Sequence, residues 1–187
     1  MPSRAAYEKN FLPHQVPKAL GELLEFQSSV KGFFSSGFEL ADDDKGGIET
    51  WSSDSAFLDC LYPIGMANGS GSTYALWLEN EGDLATAPVV VFGDEGGVHV
   101  VAEDIVSLLR ILTFDTEPMI DDEKVVYYRD EDDYEPSDGA AEYVAWLTKH
   151  FNQKPVSGSN EVEELVNAAQ KRFAKPFATW MKRYHGG

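Results

Sequence analysis

Apolar residues recur at helical spacing near the start of the chain and again in its last third. This spacing predicts helices over residues 13–34, 103–114 and 139–151, and a last helix that begins at Asn160. Because proline interrupts helical hydrogen bonding, Pro176 is expected to kink the last helix or to split it in two.

The middle of the chain has the pattern of short β-strands separated by glycine-bearing turns. The predicted strands are residues 56–62, which Pro63 closes, 73–78, 89–92 and 98–102. Residues 89–92 are apolar at every position, which is typical of a strand covered on both faces. Together with the helices, these strands predict an α+β fold with a central antiparallel sheet flanked by helices and a helical C-terminal extension.

Turns and core positions follow from the same pattern. Residues 35–50, 68–71 and 93–97 are rich in glycine and polar residues and are expected to be loops or turns, with a positive φ at Gly97. The core is expected to rest on the apolar residues of the strands and of the helix that follows them: Phe57, Leu61, Tyr74, Leu76, Val89, Val91, Phe92, Leu108 and Leu112.

Length and composition indicate one domain. The chain has 187 residues, of which 43% are apolar, so a single core over about 12–114 is expected, followed by an acidic segment over 115–138 and helices over 139–187. No apolar run of 18 residues occurs, so we expect no membrane-spanning helix. Residues 1–9 lack the apolar run and the small-residue cleavage site of a secretion signal, so we expect no signal peptide there. The single cysteine, Cys60, is expected to be a buried structural thiol in a reducing compartment, which indicates a cytoplasmic protein.

The net charge of the chain limits the classes of molecule that it is expected to bind. The net charge is -17, and residues 42–138 alone carry -20. This charge argues against nucleic acid and against anionic membranes as partners, because both attract basic surfaces, and we expect neither. A solvated acidic face is the plain interpretation, and a basic protein partner is the alternative.

No pattern typical of catalysis or metal binding is present. The four histidines lie far apart, and the acidic run from Asp130 has Glu135 where a calcium loop needs glycine. Gly69 and Gly71 lack the third glycine and the following helix of a dinucleotide site, and there is no P-loop or nucleophile elbow. We expect no catalytic residue, cofactor or metal.

Two consecutive segments carry a resemblance to a known family. Residues 62–77 place the turn Asn68-Gly69-Ser70-Gly71 between two apolar strands, and residues 87–102 place a glycine hairpin after Pro88-Val89-Val90-Val91-Phe92. With the leucine-rich helix that follows, this arrangement resembles the SUKH superfamily, which groups bacterial immunity proteins with fungal cell-wall-synthesis regulators.

The resemblance implies an α+β fold and a function in binding rather than catalysis. It implies an immunity protein that binds a cognate toxin in the cytoplasm and neutralises it. Because nucleases and other enzymes that act on polyanions need basic clefts, an acidic inhibitor suits such a toxin. A regulatory scaffold of the fungal type is the alternative, and an enzyme or small-ligand binder with a pocket beside the sheet is the third.

The acidic segment offers the best candidate contacts, because its tyrosines are interleaved with carboxylates. The same tyrosines and the neighbouring valines are equally compatible with a segment that is merely pinned to the sheet. The basic last helix, with Lys171, Arg172, Lys182 and Arg183, is the next place to look. The candidate toxin-binding residues are Tyr128, Asp130, Asp132, Asp133, Tyr134 and Glu135, with Asp42, Asp43 and Asp44 as a weaker second patch.

Overall fold

A computed structural model describes residues 3–41 and 45–184. The helices are α1 (Arg4–Glu8), α2 (Lys18–Ser29), α3 (Gly46–Glu49), α4 (Ser55–Leu58), α5 (Ile105–Ile111), α6 (Ala140–Phe151) and α7 (Ser159–Met181). The strands are β1 (Leu61–Met66), β2 (Thr73–Trp77), β3 (Val89–Phe92), β4 (Val98–Ala102), β5 (Pro118–Ile120) and β6 (Val125–Tyr127).

The strands form a four-stranded sheet and a separate hairpin. The sheet has the order β1-β2-β3-β4 with every neighbouring pair antiparallel, and β5 pairs with β6. The predicted α+β class, with an antiparallel sheet flanked by helices and a long C-terminal helix, is confirmed.

The sheet is covered on both faces, because successive side chains of a strand point to opposite sides. In β3, Val89 and Val91 enter a core formed with α2, α5 and α6, whereas Val90 and Phe92 enter a second core formed with α4 and the end of α7. All nine predicted core residues are buried, but they are divided between these two cores.

Helix α7 links the two cores by passing the edge strand β4. Val162 and Val166 in its first half join the first core, and Phe177 and Trp180 in its second half join the second. Of the two predicted outcomes at Pro176, a kink or a split, the split is wrong, because one helix continues from Ser159 to Met181. The burial of the apolar residues after this proline outweighs the lost hydrogen bond.

The first strand begins later in the chain than the apolar run over 56–62 predicts. Asp54 accepts a hydrogen bond from the N–H of Ala56 and starts the helical turn α4, so the strand begins only at Leu61. Pro63 lies inside β1 and does not close it. A proline is tolerated there because β1 is an edge strand with a bulge between Pro63 and Gly65.

Several other boundaries also differ from the sequence predictions. The helix expected over 13–34 is limited to Lys18–Ser29, and the loop expected over 35–50 contains the helical turn α3. The last helix begins at Ser159 rather than at Asn160. Pro17 stands at the N-cap of α2 and disfavours helix before it, and the extended backbone of Val30 ends the helix. The one-residue shift at Ser159 is within the ordinary spread of helix ends.

Cys60 lies just before β1, where it is half-buried rather than fully buried as expected. Its Sγ donates a weak hydrogen bond to the carbonyl oxygen of Ala56 at 3.4 Å. Burial raises the pKa of the thiol, which disfavours the reactive thiolate.

Among the described residues, every helix is too short or too polar to cross a lipid bilayer.

Candidate protein-binding surface

Most of the predicted contact residues lie on or just after the β5–β6 hairpin. Met119 pairs with Val126 in this hairpin, and Asp121 begins its turn. The Asp121 carboxylate accepts the N–H groups of Glu123 and Lys124, each at 2.8 Å. These two hydrogen bonds lower the pKa of Asp121 and fix the turn.

The inner face of the hairpin is anchored to the main sheet. Val125 and Tyr127 are buried in the first core, and the Tyr127 hydroxyl hydrogen-bonds the Tyr74 hydroxyl at 2.9 Å. Burial raises the pKa of both hydroxyls, so both stay protonated. The Nε2 of His99 lies 2.7 Å from the carbonyl oxygen of Asp121 and holds the turn against β4. The alternative that these residues pin the acidic segment to the sheet is therefore confirmed for Val125 and Tyr127.

The outer face of the same hairpin carries exposed apolar side chains. Met119 is 55% exposed and Tyr128 is 59% exposed, and Val126 lies half-exposed opposite Met119. We call these three residues the hairpin strip. Large apolar side chains held in the open by a fixed backbone are typical of the centre of an interface.

Acidic residues lie on both sides of the hairpin strip. Asp122 and Glu123 occupy the hairpin turn, and Asp130, Asp132 and Asp133 follow Tyr128. All five side chains are exposed, so their field reaches solvent and favours a cationic partner.

A buried carboxylate fastens the part of the acidic segment that follows the hairpin. Asp115, only 3% exposed, accepts hydrogen bonds from the backbone N–H of Ser36 and Ser137, each at 2.7 Å, and from both of their hydroxyls. The Tyr134 hydroxyl donates a fifth hydrogen bond to it at 2.8 Å. Burial opposes ionisation of Asp115, but these donors outweigh it and lower the pKa of the carboxyl.

Arg129 also anchors the part of the acidic segment that follows the hairpin. Its guanidinium lies between the rings of Tyr134 and Phe114, with its centre 3.7 Å and 4.4 Å from the two ring centroids. It also donates to the Phe114 carbonyl and to the Glu131 carboxylate. One of the two bases of the acidic segment is therefore engaged with Glu131 and with the rings of Phe114 and Tyr134, and none of its hydrogen bonds goes to Asp130, Asp132 or Asp133.

Tyr134 was predicted to contact a partner, but its side chain is directed inward instead of being exposed to solvent. It is half-buried, stacked on Arg129 and bonded to Asp115, and burial together with that hydrogen bond raises its pKa to about 12. Its hydroxyl is thus directed toward Asp115. The other residues predicted within the acidic segment, which are Tyr128, Asp130, Asp132, Asp133 and Glu135, are exposed. The second patch, Asp42, Asp43 and Asp44, lies outside the described residues.

Some of the basic residues on α7 and just after its end are engaged with acids. Arg183 pairs with Glu79, and Arg172 lies 3.8 Å from Glu103. These exposed pairs contribute little to stability, but they reduce the free positive charge on this side of the protein.

A groove of about 850 Å³ opens beside the hairpin strip. It lies between β4, the hairpin from Asp122 to Tyr128 and the facing side of α7. Val126 and Tyr128 line it, so the hairpin strip and the groove form one continuous surface.

Sequence reasoning missed Met119 and the strand β5. A usable signal was present, because residues 118–120 and 125–127 are short apolar runs separated by the four-residue turn 121–124. The high charge of the surrounding segment concealed this hairpin.

Among the described residues, no three histidine, cysteine or acidic side chains converge in a way that would hold a metal ion. Comparisons of the chain with protein-family models, with curated protein sequences and with solved structures find no match.

Proposed function

We propose that this protein is a protein-binding inhibitor, and specifically an immunity protein that neutralises a cognate toxin in the cytoplasm. The toxin is expected to present a basic surface, as a nuclease or another enzyme that acts on a polyanion does. Binding would cover the path that the phosphates of the substrate take.

One observation carries this proposal, which is the hairpin strip surrounded by exposed acids. The strip offers an apolar centre at Met119, Val126 and Tyr128 on a backbone anchored by Tyr127. An interface with an apolar centre and a charged rim gives affinity through the centre and a fast, specific encounter through the rim. The resemblance of residues 62–77 and 87–102 to the SUKH superfamily, whose members act by binding, supports a binding function and includes both the immunity proteins and the fungal regulators.

The proposal is tested by producing the protein together with the product of the neighbouring gene in bacterial cells. We expect the neighbouring product alone to stop growth and the pair to restore growth. The purified pair should form a stable complex. Its association rate should fall as salt concentration rises, because salt screens charge attraction.

Two variants identify the surface. Tyr128→Ala should weaken the complex by about tenfold or more, as expected for an aromatic residue at the centre of an interface. Phe33→Ala is the matched control, because Phe33 is 60% exposed and belongs neither to the hairpin strip nor to the acidic segment. Complex formation without restored growth would favour a regulatory scaffold over an immunity protein, and the absence of any complex would contradict both.

A further inference from the structure

The groove beside the hairpin strip has the size of a small-ligand site. Its volume of about 850 Å³ lies within the range of roughly 300–1,000 Å³ that such sites occupy. The groove is elongated, because its lining residues on α7 extend from Ser159 to Met181, about 33 Å along the helix at ~1.5 Å per residue. A ligand that fills it is therefore expected to be long and narrow.

The inside of the groove is lined by apolar side chains. Helix α7 packs along the edge of β4, and the Nε2 of Gln170 donates to the carbonyl oxygen of Val100 at 3.3 Å, so an occupant meets side chains and not an open strand. The apolar lining residues come from all three walls: Val98, Val100, Val126, Val162, Val166, Ala174 and Phe177. Contact with methylene groups is favourable there, because apolar surface leaves water on both sides.

The rim of the groove is acidic. Asp122 and Glu123 in the hairpin turn and Glu163 on α7 are exposed and line it, and Lys124 is the single lysine or arginine among the described lining residues. Within residues 3–41 and 45–184, none of these three carboxylates has an ion-pair partner. Unpaired carboxylates above an apolar floor complement a ligand that joins an apolar body to a positive charge.

We propose that this groove binds a small organic cation in which a positive group is attached to a long, unbranched apolar chain, as in a primary alkylamine. The chain lies along α7 on the apolar floor, and the ammonium group meets the carboxylates of the rim. A primary amine of this kind is protonated at neutral pH, as the lysine side chain is. The inference goes beyond the proposed function, because it concerns a small ligand and not a protein partner.

The direct test is calorimetric titration of the full-length protein with hexylammonium, octylammonium and decylammonium, each below its micelle-forming concentration. We expect one molecule to bind per chain, with an affinity that rises about two- to fourfold for each added methylene, because each one buries more apolar surface. Decanoate should bind at least about tenfold more weakly than decylammonium, and decanol should lie between them, because the acidic rim repels an anion and attracts a cation.

Amide signals of the ¹⁵N-labelled protein and two variants on α7 locate the ligand. We expect decylammonium to shift the signals of Val98, Val126 and Asn167, which line the groove. Asn167→Trp should weaken binding by about tenfold or more, because Asn167 is exposed on the groove wall and an indole there takes up its space. Ala168→Trp, at an exposed neighbouring position outside the groove, should bind as the unmodified protein does.

A second pair of variants tests the role of the acidic rim. Glu163→Lys should weaken the binding of decylammonium by about threefold or more, since it removes one attraction and adds one repulsion. The binding of decanol should stay unchanged in this variant, which separates a lost charge contact from a damaged groove. Glu164→Lys changes the net charge equally at an exposed position outside the groove, and it should alter neither affinity.

Decanoate that binds as tightly as decylammonium, or signal shifts confined to residues outside the groove, would overturn the inference. Several amine molecules per chain, bound equally by Asn167→Trp, would overturn it in favour of adventitious binding to the acidic surface. A protein dimer that Asn167→Trp dissociates would overturn it in favour of a second copy of this chain. The growth test stays separate, because failure of the unmodified protein to rescue cells contradicts the proposed function and leaves the titration result standing.

Discussion

At the scale of single residues, Gly97 joins the main sheet to the β5–β6 hairpin. Its φ is +80°, and a Cβ built there would lie 2.0 Å from the carbonyl oxygen of Asp121. The positive φ predicted from the sequence is confirmed, but the close approach of Asp121 is visible only in the folded molecule.

We expect Gly97→Val to destabilise the protein by at least about 2 kcal/mol, because left-handed backbone strain adds to a clash with backbone that has to move. Urea unfolding measures this loss. Gly158→Val is the control, since Gly158 has an extended backbone and open space around its Cβ position, and its cost should stay within about 1 kcal/mol. A fully stable Gly97→Val protein would contradict the turn geometry.

Asp115 is a second single residue on which the structure depends. It accepts five hydrogen bonds that hold the acidic segment in place. Its pKa is lowered by folding, so its carboxylate stabilises the native state above the unfolded pKa of about 3.9. That contribution is lost as the pH falls through the lower, folded-state pKa.

Asp115→Asn should therefore cost about 2–4 kcal/mol at neutral pH, because an amide cannot accept all these donors. The variant should also lose less stability than the unmodified protein when the pH falls below about 4. Urea unfolding at several pH values tests both points. Asp133→Asn, at an exposed acid, is the control and should change the free energy of unfolding at neutral pH by less than about 1 kcal/mol. Parallel profiles for Asp115→Asn and the unmodified protein would show that Asp115 does not carry this pH dependence.

At the scale of elements, the hairpin depends on one buried pair of hydroxyls. Tyr127→Phe removes the partner of the Tyr74 hydroxyl and leaves that group buried and unpaired, which should cost about 1–3 kcal/mol. The double variant Tyr74→Phe with Tyr127→Phe should be more stable than Tyr127→Phe alone, because no orphan hydroxyl remains. Thermal unfolding is compared for the unmodified protein, Tyr74→Phe, Tyr127→Phe and the double variant. If the stability losses of the two single variants add up to that of the double variant, the two hydroxyls are not coupled.

Phe92 at the end of β3 fills part of the second core. Phe92 packs in the second core with its ring 5.7 Å from that of Trp51 and 6.4 Å from that of Phe57. Phe92→Ala should cost about 3–5 kcal/mol in denaturant unfolding. Phe33→Ala, at an exposed phenylalanine, should cost less than about 1 kcal/mol. A loss below 1 kcal/mol for Phe92→Ala would contradict the two-sided covering of the sheet.

At the scale of the whole molecule, the net charge of -17 favours encounter with a cationic protein. Reversing Asp132 and Asp133 to lysine should slow association with a basic partner and weaken its salt dependence, while the free energy of unfolding changes by less than about 1 kcal/mol. Stopped-flow mixing with the purified partner at two salt concentrations measures both quantities. An unchanged association rate at low salt would place the interface elsewhere.

The sequence by itself determined the fold class, three of the four strands of the main sheet, the glycine turns and the list of core residues. These features depend on local patterns: the valines of β3 alternate between two apolar environments, and Gly97 supplies a conformation that other residues avoid. Element boundaries were less well determined, because the cap at Asp54 and the bulge beside Pro63 compete with the apolar run around them.

The tertiary structure alone decided how the acidic segment is used. Its charge pattern does not reveal that Asp115 collects donors from Ser36 and Ser137, or that Tyr134 faces inward while Tyr128 faces out. The groove likewise needs α7 to pass the edge of β4 and the hairpin to lie beside it. Such features depend on contacts between residues far apart in the chain, and a pattern within one segment specifies which face is apolar but not what that face will meet.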